Sequence, residues 1–272
     1  MNIQQLTASI YQKRSFLCVG LDTDPAKLPA GLQDNPKDII AFNKAMIDAT
    51  LESAVAYKIN TAFYEAMGAQ GWEIIEQTLA HIPPTHFSIA DAKRGDIGNT
   101  AAQYARTFFE TYQFDAVTVA PYMGRDSIQP FLDYQDKTTI VLGLTSNKGA
   151  ADFEQLELSS GKKLYEQVLT TVASWGSPDQ LMFVVGATQA AALKNIRQLI
   201  PGHFLLVPGV GAQGGSVEEV AAAGWTTNCG LLVNVSRGVI YASNGEDYIT
   251  AAKAAAQGYQ RQMQAAFEKL QG

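Results

Sequence analysis

HFSIADAKRGDIGNTAAQYARTFFETY, His86 to Tyr112, changes character twice along its length. It opens as a short apolar run, HFSIADA, passes through a charged turn containing Gly95, and from Ala101 to Tyr112 takes on helical spacing. A strand followed by a helix is one βα unit, and the same alternation recurs along the chain. Apolar, often β-branched runs begin at Phe16 (FLCVGLD), Ala54 (AVAYKIN), His86, Asp115 (DAVTVAPY), Thr138 (TTIVLGL), Leu181 (LMFVVGA), His203 (HFLLVPGV) and Gly230 (GLLVNVS). Helical spacing fills Lys37–Leu51, Ala66–Leu79, Leu164–Trp175 and Gln189–Leu199 between them. Strands that are apolar on both faces, each followed by a helix, signal a parallel sheet covered by helices. Eight such units predict an α/β fold of the closed (β/α)8, or TIM barrel, kind in preference to an open doubly wound sheet.

The 272 residues suit a single barrel domain spanning 1–272, because no linker, low-complexity segment or repeat beyond the βα unit divides the chain. In the last helix Tyr259, Met263, Phe267 and Leu270 form one stripe expected to face the core. The longest irregular segment, Ser146 to Lys163, follows the fifth strand, where long connections often serve as lids or binding loops.

Composition narrows the function. With 47% hydrophobic and 17% charged residues the chain is expected to be compact and folded. A net charge of −6 and the lack of a Lys/Arg-rich run argue against nucleic acid, but not against a small phosphate ester, which a few backbone N–H groups and one arginine can hold. Cys18 and Cys229 sit inside apolar runs and read as buried, reduced thiols. The N-terminal sequence lacks the layout of a signal peptide and no run reaches membrane-spanning length, so a cytoplasmic location and no membrane partner are expected. His81, His86 and His203 join no spaced cluster of cysteines or carboxylates, and no metal site is expected.

In a barrel of this kind the active site lies at the C-terminal ends of the strands. Asp22 closes the first apolar run, Lys58 and Asn60 the second, Asp91 and Lys93 the third. The two-residue period of a strand puts Asp91 and Lys93 on one face and Arg94 on the other, where it reads as structural. Asp96 falls near the start of the next helix, a place where a carboxylate also serves as a simple cap. Two cations and two or three carboxylates in one barrel mouth perturb one another's ionisation, which is costly unless function requires it. A lysine held between carboxylates stays protonated, so Lys93 is a candidate proton donor.

Beyond the seventh strand, PGVGAQGGS (208–216) places Gly209, Gly211 and Gly214 in a G-x-G-x-x-G pattern. A dinucleotide fold does not follow. The motif sits in the seventh unit, and about 20 residues on, where an acidic ribose ligand is due, the chain reads VNVSRG. The barrel's phosphate site, built from the loops after strands seven and eight, accounts for it better: glycine N–H groups, the Gln213 amide and the forked guanidinium of Arg237.

These residues resemble those of the orotidine 5′-phosphate decarboxylase family. DAKRGDIGNTA is similar to the D-x-K-x-x-D signature of its longer bacterial group, and GLDTDP, AYKIN, LTSNKG, PGVGAQGG and SRGVIYA match in order along nearly the whole chain. The resemblance implies a metal-free and cofactor-free decarboxylation of orotidine 5′-phosphate to uridine 5′-phosphate. It implies that Lys58, Asp91, Lys93 and Asp96 form the charged catalytic array, with Lys93 as proton donor. It sets Asp22 and Asn60 at the ribose, Ser146, flanked by Thr145 and Asn147, at the pyrimidine edge, and Gln213, Gly214 and Arg237 at the phosphate. Asp96 and Thr100 would reach a neighbouring subunit's site, which implies a homodimer with shared sites. Ile59 stands where many relatives carry proline. The rival readings are a metal-dependent keto-sugar-phosphate decarboxylase that also uses D-x-K-x-x-D, a Schiff-base aldolase, disfavoured because LMFVVGA carries no lysine, and a phosphate-ligand binding protein without chemistry.

Overall fold

The computed structural model describes residues 1–271 apart from Ala30, Thr188, Gln189, Ala212 and Gln213, with only the backbone of Ala190 and Gln271. Eight strands run in sequence order round a closed barrel: β1 (Leu17–Gly20), β2 (Ala54–Asn60), β3 (Phe87–Arg94), β4 (Ala116–Val119), β5 (Thr138–Leu144), β6 (Leu181–Val185), β7 (Phe204–Pro208) and β8 (Leu231–Val235). Every neighbouring pair is parallel, and β8 returns to β1 with Leu17 opposite Val233 and Cys18 opposite Asn234. All residues of β1, β4, β6 and β8 are buried, as expected of strands with side chains in the barrel on one face and helices on the other.

The helices are α1 (Ile3–Lys13), α2 (Pro36–Thr50), α3 (Thr61–Glu65), α4 (Ala69–Leu79), α5 (Gly98–Arg106), α6 (Arg125–Leu132), α7 (Leu164–Ala173), α8 (Ala190–Leu199), α9 (Val217–Gly224), α10 (Arg237–Ile240) and α11 (Tyr248–Gln271). None of the described helices is long and apolar enough to cross a membrane. Cys18 and Cys229 are free and buried, as their apolar surroundings predict.

Three expectations need correction in detail. The helical run expected over Ala66–Leu79 starts later, as α4 at Ala69, because Gly68 takes φ +66° and breaks the chain off from the short α3 that ends at Glu65. The break folds α4 against α3 so closely that a Cβ on Gly71 would lie 1.7 Å from the Tyr64 carbonyl oxygen. The run Ala101–Tyr112 passes from α5 into a π-helical turn at Thr107–Thr111. The α11 stripe stops short of its expected end: Met263 and Phe267 are buried and Tyr259 half-buried, whereas Leu270 is exposed. Phe267 is the last residue of the stripe held, edge-on to Tyr11 and Trp225 at ring-centre distances of 5.6 and 4.8 Å. Gln189, expected to open the eighth helical run, lies outside the described residues.

Candidate active site

The C-terminal mouth of the barrel holds a cavity of about 460 Å3, and charge alternates across one side of it. Lys58 projects from β2, with its ammonium 2.9 Å from Asp22 Oδ1 and 3.1 Å from Asp91 Oδ2. Asp91 on β3 turns its other oxygen, Oδ1, to Lys93 Nζ at 2.6 Å, and accepts a hydrogen bond there from Thr118 Oγ1 on β4 at 3.0 Å. The order is therefore Asp22, Lys58, Asp91, Lys93. The two lysines differ in access: Lys58 is 4% exposed and sealed between its carboxylates, whereas Lys93 is 49% exposed and opens to the cavity.

Burial opposes charge on Lys58, but the Asp22 and Asp91 carboxylates outweigh it and push its pKa upward. Burial likewise opposes ionisation of Asp91, but the Lys58 and Lys93 ammonium groups and their hydrogen bonds hold its carboxyl well below the usual range. At neutral pH Asp91 and Lys58 therefore both stay charged. Among the described residues no group of three or more His, Cys, Asp and Glu side chains converges as a metal-ligand set.

Asp91 and Lys93 do face each other, but not through simple strand alternation. Lys93 has left the strand conformation, with φ +46°, and the β3–β4 register shifts between Ala90 and Arg94. The Lys93 N–H donates to Thr118 Oγ1 at 2.9 Å, so one threonine fixes both the carboxylate and the backbone of the lysine beside it. Arg94 points away from the cavity. It pairs with Glu65 and lies over the rings of Tyr104 and Phe108 at 5.3 and 5.4 Å, a structural role as the sequence suggests.

Asn60 lines the cavity, and its side-chain oxygen caps α3 by accepting from the Ala62 N–H. Opposite the array, Pro208 and Gly209 of the β7 end meet Ser236, Arg237 and Gly238 at the start of α10. Gly20 makes room for that turn, since a Cβ there would lie 1.9 Å from Ser236 Oγ. The exposed Arg237 guanidinium makes no hydrogen bond or ion pair with another described residue.

The glycine loop departs from expectation. Gly209, Gly211 and Gly214 all have positive φ, but the N–H groups of Gly211 and Gly214 donate within the loop, to the carbonyls of Gly215 and Gly211. Gly214 does not line the cavity. These two glycines shape the turn, and Gly209 and Gly238 are the ones that approach the space. Gln213 lies outside the described residues.

The β5–α7 segment supplies Thr145, Ser146 and Asn147 to the wall. It is not structureless, since it carries a 3-10 turn at Lys148–Asp152 and an antiparallel bridge between Glu157 and Lys163. Gly186 beyond β6 leaves space for Ser146, whose Cβ would otherwise be 2.8 Å from one on Gly186.

Asp22, Lys58, Asn60, Asp91, Lys93, Ser146 and Arg237 thus converge on one cavity. Asp96 and Thr100 do not join it within this chain. Among the described residues Asp96 Oδ1 accepts only from the adjacent Ile97 N–H, so it is not the helix cap either: the capping position of α5 is Ile97, without a side-chain bond. Sequence reasoning missed Thr118, whose signal was one polar residue in the apolar strand AVTV, and Asn234, a buried polar residue of β8 at the cavity wall.

Comparison with known proteins agrees with this geometry. A family model described as "Orotidine 5'-phosphate decarboxylase / HUMPS family" matches residues 15–267. A protein of Bacteroides fragilis named orotidine 5′-phosphate decarboxylase is 56% identical over 97% of this chain and 97% of its own, and one of Porphyromonas gingivalis with the same name is 54% identical over 98% of each. Among solved structures, the OMP decarboxylase of Leishmania donovani superposes with a TM-score of 0.82 at 35% identity, covering 97% of this chain and 99% of that one. A structure from Toxoplasma gondii described as a putative orotidine-monophosphate-decarboxylase gives 0.87 at 34% identity, covering 98% and 97%. With the family model spanning most of the chain and relatives above half identity over nearly all of it, the chain belongs to the orotidine 5′-phosphate decarboxylase / HUMPS family.

Proposed function

We infer that this protein decarboxylates orotidine 5′-phosphate to uridine 5′-phosphate and carbon dioxide, the last step of de novo synthesis of uridine 5′-phosphate. The observation that carries the reading is the unbroken charge order Asp22, Lys58, Asp91, Lys93 on one side of a cavity whose far side ends at Gly209 and Arg237. A nucleotide fits that polarity with its phosphate at Arg237 and its base toward Lys93. The bond from C6 to the carboxylate breaks with its electron pair left on C6. The Lys93 ammonium stabilises that charge and donates its proton there, and its exposure lets solvent restore the proton. Lys58 holds Asp91 and Asp22 in place and stays charged throughout.

No metal or organic cofactor is needed for this step, and the Lys58 ammonium already bridges the two carboxylates that a divalent ion would otherwise require as ligands. The active form is a homodimer with shared sites, working in the cytoplasm. Asp96 and Thr100 lie outside their own cavity, and Ile97, Tyr122 and Met123 leave apolar surface open at 52, 88 and 47%, a face suited to a second copy. The test is to mix purified protein with orotidine 5′-phosphate in excess chelator and follow the loss of pyrimidine absorbance. Turnover is expected. Turnover abolished by chelator would point instead to a metal-dependent sugar-phosphate decarboxylase, and uridine 5′-phosphate binding without turnover to a ligand-binding protein.

A further inference from the structure

Asp22 follows β1 on chain that is anchored on both sides of it. Before it, the Leu21 N–H donates to the Lys58 carbonyl at 2.8 Å, and the Leu21 carbonyl accepts from the Tyr64 phenol on α3 at 2.6 Å. After it, Thr23 Oγ1 donates to Asn43 Oδ1 at 2.6 Å, and the Asp24 N–H donates to Tyr241 Oη at 2.7 Å. Asn43 on α2 joins the two sides. Its amide nitrogen donates to Tyr64 Oη at 3.1 Å and to Thr78 Oγ1 on α4 at 3.0 Å. Thr23, Asn43, Tyr64 and Thr78 are all fully buried.

Proton counting gives this network one direction. A backbone carbonyl only accepts, so the single Tyr64 proton goes to Leu21, and Tyr64 Oη meets Asn43 with lone pairs. The Asn43 NH2 must therefore face Tyr64 and Thr78, which leaves its oxygen for the Thr23 hydroxyl. Burial holds the Tyr64 phenol above its ordinary range, so the donor to Leu21 keeps its proton. Tyr64 is itself pressed into place from α4, since Gly71, without a Cβ, lets that helix close on the Tyr64 carbonyl. Four polar side chains buried in the core gain little stability, because apolar residues of the same shape do nearly as well. What they gain is one fixed arrangement.

We propose that Asn43 and Tyr64 are positioning residues that hold the Asp22 carboxylate at the Lys58 ammonium, and through Lys58 keep Asp91 turned toward Lys93. The inference rests on the reading of the cavity as a site of orotidine 5′-phosphate decarboxylation. Neither side chain lines the cavity, so each acts through Asp22 and not on the substrate. Asp22 Oδ1 meets Lys58 Nζ at 2.9 Å, while Asp91 bridges from Lys58 at 3.1 Å to Lys93 at 2.6 Å. A shift of the Asp22 segment leaves Lys58 to Asp91 alone and draws that carboxylate away from Lys93.

A double-mutant cycle between Tyr64→Phe and Asp22→Ala separates positioning from support of the fold. Tyr64→Phe deletes one hydroxyl and leaves the Leu21 carbonyl without its donor. Single-turnover rates with orotidine 5′-phosphate at excess enzyme keep the slow Asp22→Ala proteins measurable, and urea denaturation checks that all four proteins are folded. Tyr64→Phe is expected to slow the wild type at least about tenfold, but the Asp22→Ala protein less than about twofold, because the group being placed is already gone. Thr23→Val, which removes the hydroxyl bonded to Asn43, goes through the same cycle with the same coupling expected, and it decides the matter if Tyr64→Phe does not fold. Equal slowing in both backgrounds, or a folded variant as fast as the wild type, overturns the proposal and leaves the decarboxylase reading intact. A wild type that binds uridine 5′-phosphate without turnover removes that reading, and the cycle is then read on dissociation constants from calorimetry. A loss of affinity confined to the Asp22 background keeps the positioning role, and an additive loss or none overturns it too.

Discussion

Lys93 Nζ stands 2.6 Å from Asp91 Oδ1 on a backbone that has turned to φ +46°. A left-handed lysine costs of the order of 1 kcal/mol in backbone energy. The compensation is visible in Thr118, which binds the Lys93 N–H and the Asp91 carboxylate through one hydroxyl. The geometry holds the lysine head group, half open to solvent, at the end of a line of alternating carboxylates and lysines.

Lys93→Ala should therefore lower kcat by about 10³-fold or more, since it removes the proposed proton donor and the cation proposed to face C6. Uridine 5′-phosphate affinity should change far less, because the phosphate end is untouched. Steady-state kinetics with a parallel binding titration checks this, and a comparable loss in both quantities would mean that the lysine only binds.

Thr118→Val keeps volume and burial while deleting the hydroxyl. It leaves Asp91 paired with both lysines but frees the Lys93 backbone, so the expected result is a kcat loss of about tenfold to a hundredfold together with a stability loss of about 1–3 kcal/mol for the partners left unbonded. Unchanged kcat would show that Lys93 is placed by its ion pair alone.

Lys58→Met removes the cation between two carboxylates at a position only 4% exposed. Breaking a buried pair from one side leaves charge without compensation, and a loss of about 3 kcal/mol in urea denaturation is expected. Adding Asp22→Asn should restore part of it, because Asp91 still has Lys93. A Lys58→Met protein as stable as the wild type would contradict the burial argument.

The strands and the charges proposed as catalytic were legible for one reason: in a parallel barrel each strand is a continuous apolar run, and the charged residues at its C-terminal end mark the mouth. Asp22, Lys58, Asp91 and Lys93 all obey that rule. Elements held by tertiary packing were less legible. α6 escapes a periodicity reading because RDSIQPFL is short and contains Pro130, and α9 is short, though Ser216 caps it by accepting from the Glu219 N–H. The glycine loop misled for a related reason: sequence shows where glycine is needed, but not whether its N–H faces a ligand or, as for Gly211 and Gly214, the loop's own carbonyls. Thr118 acts across from β4 to β3, and although one polar residue in the apolar AVTV marks it, no local pattern shows which side chains it holds.

Acid should weaken the fold in two separate windows. Burial first and the nearby Arg197 second lower the pKa of His203 from 6.5 to about 4. The unfolded chain thus takes up this proton first, and the stability tied to neutral His203 is complete above pH 6.5 and lost as pH falls toward 4. Asp91, held below the usual carboxylate range, contributes stability above its unfolded value that is lost only at lower pH. Lys58, raised, contributes below the ordinary lysine range and fails only at strongly alkaline pH. Melting curves of His203→Gln should lose most of the decline between pH 6.5 and 4 and keep the steeper fall below it. A wild-type melting temperature flat between pH 7 and 4.5 would rule out a neutral buried His203.

The proposed shared sites make a further demand on Asp96, half-buried beside Ile97, and on the exposed Thr100, both of which lie outside their own cavity. If Asp96 completes the partner's array, Lys93→Ala and Asp96→Ala are each inactive alone, since every site of either homodimer lacks one group. Mixed and allowed to exchange subunits, they form hybrids in which one site carries both defects and the other carries neither. Equal amounts give about half hybrids, so activity should recover to about a quarter of the wild-type value per total site. Native mass spectrometry follows the exchange and the absorbance assay follows the activity. Complete exchange without recovery would confine each active site to one chain and leave Asp96 a loop residue that accepts from the Ile97 N–H.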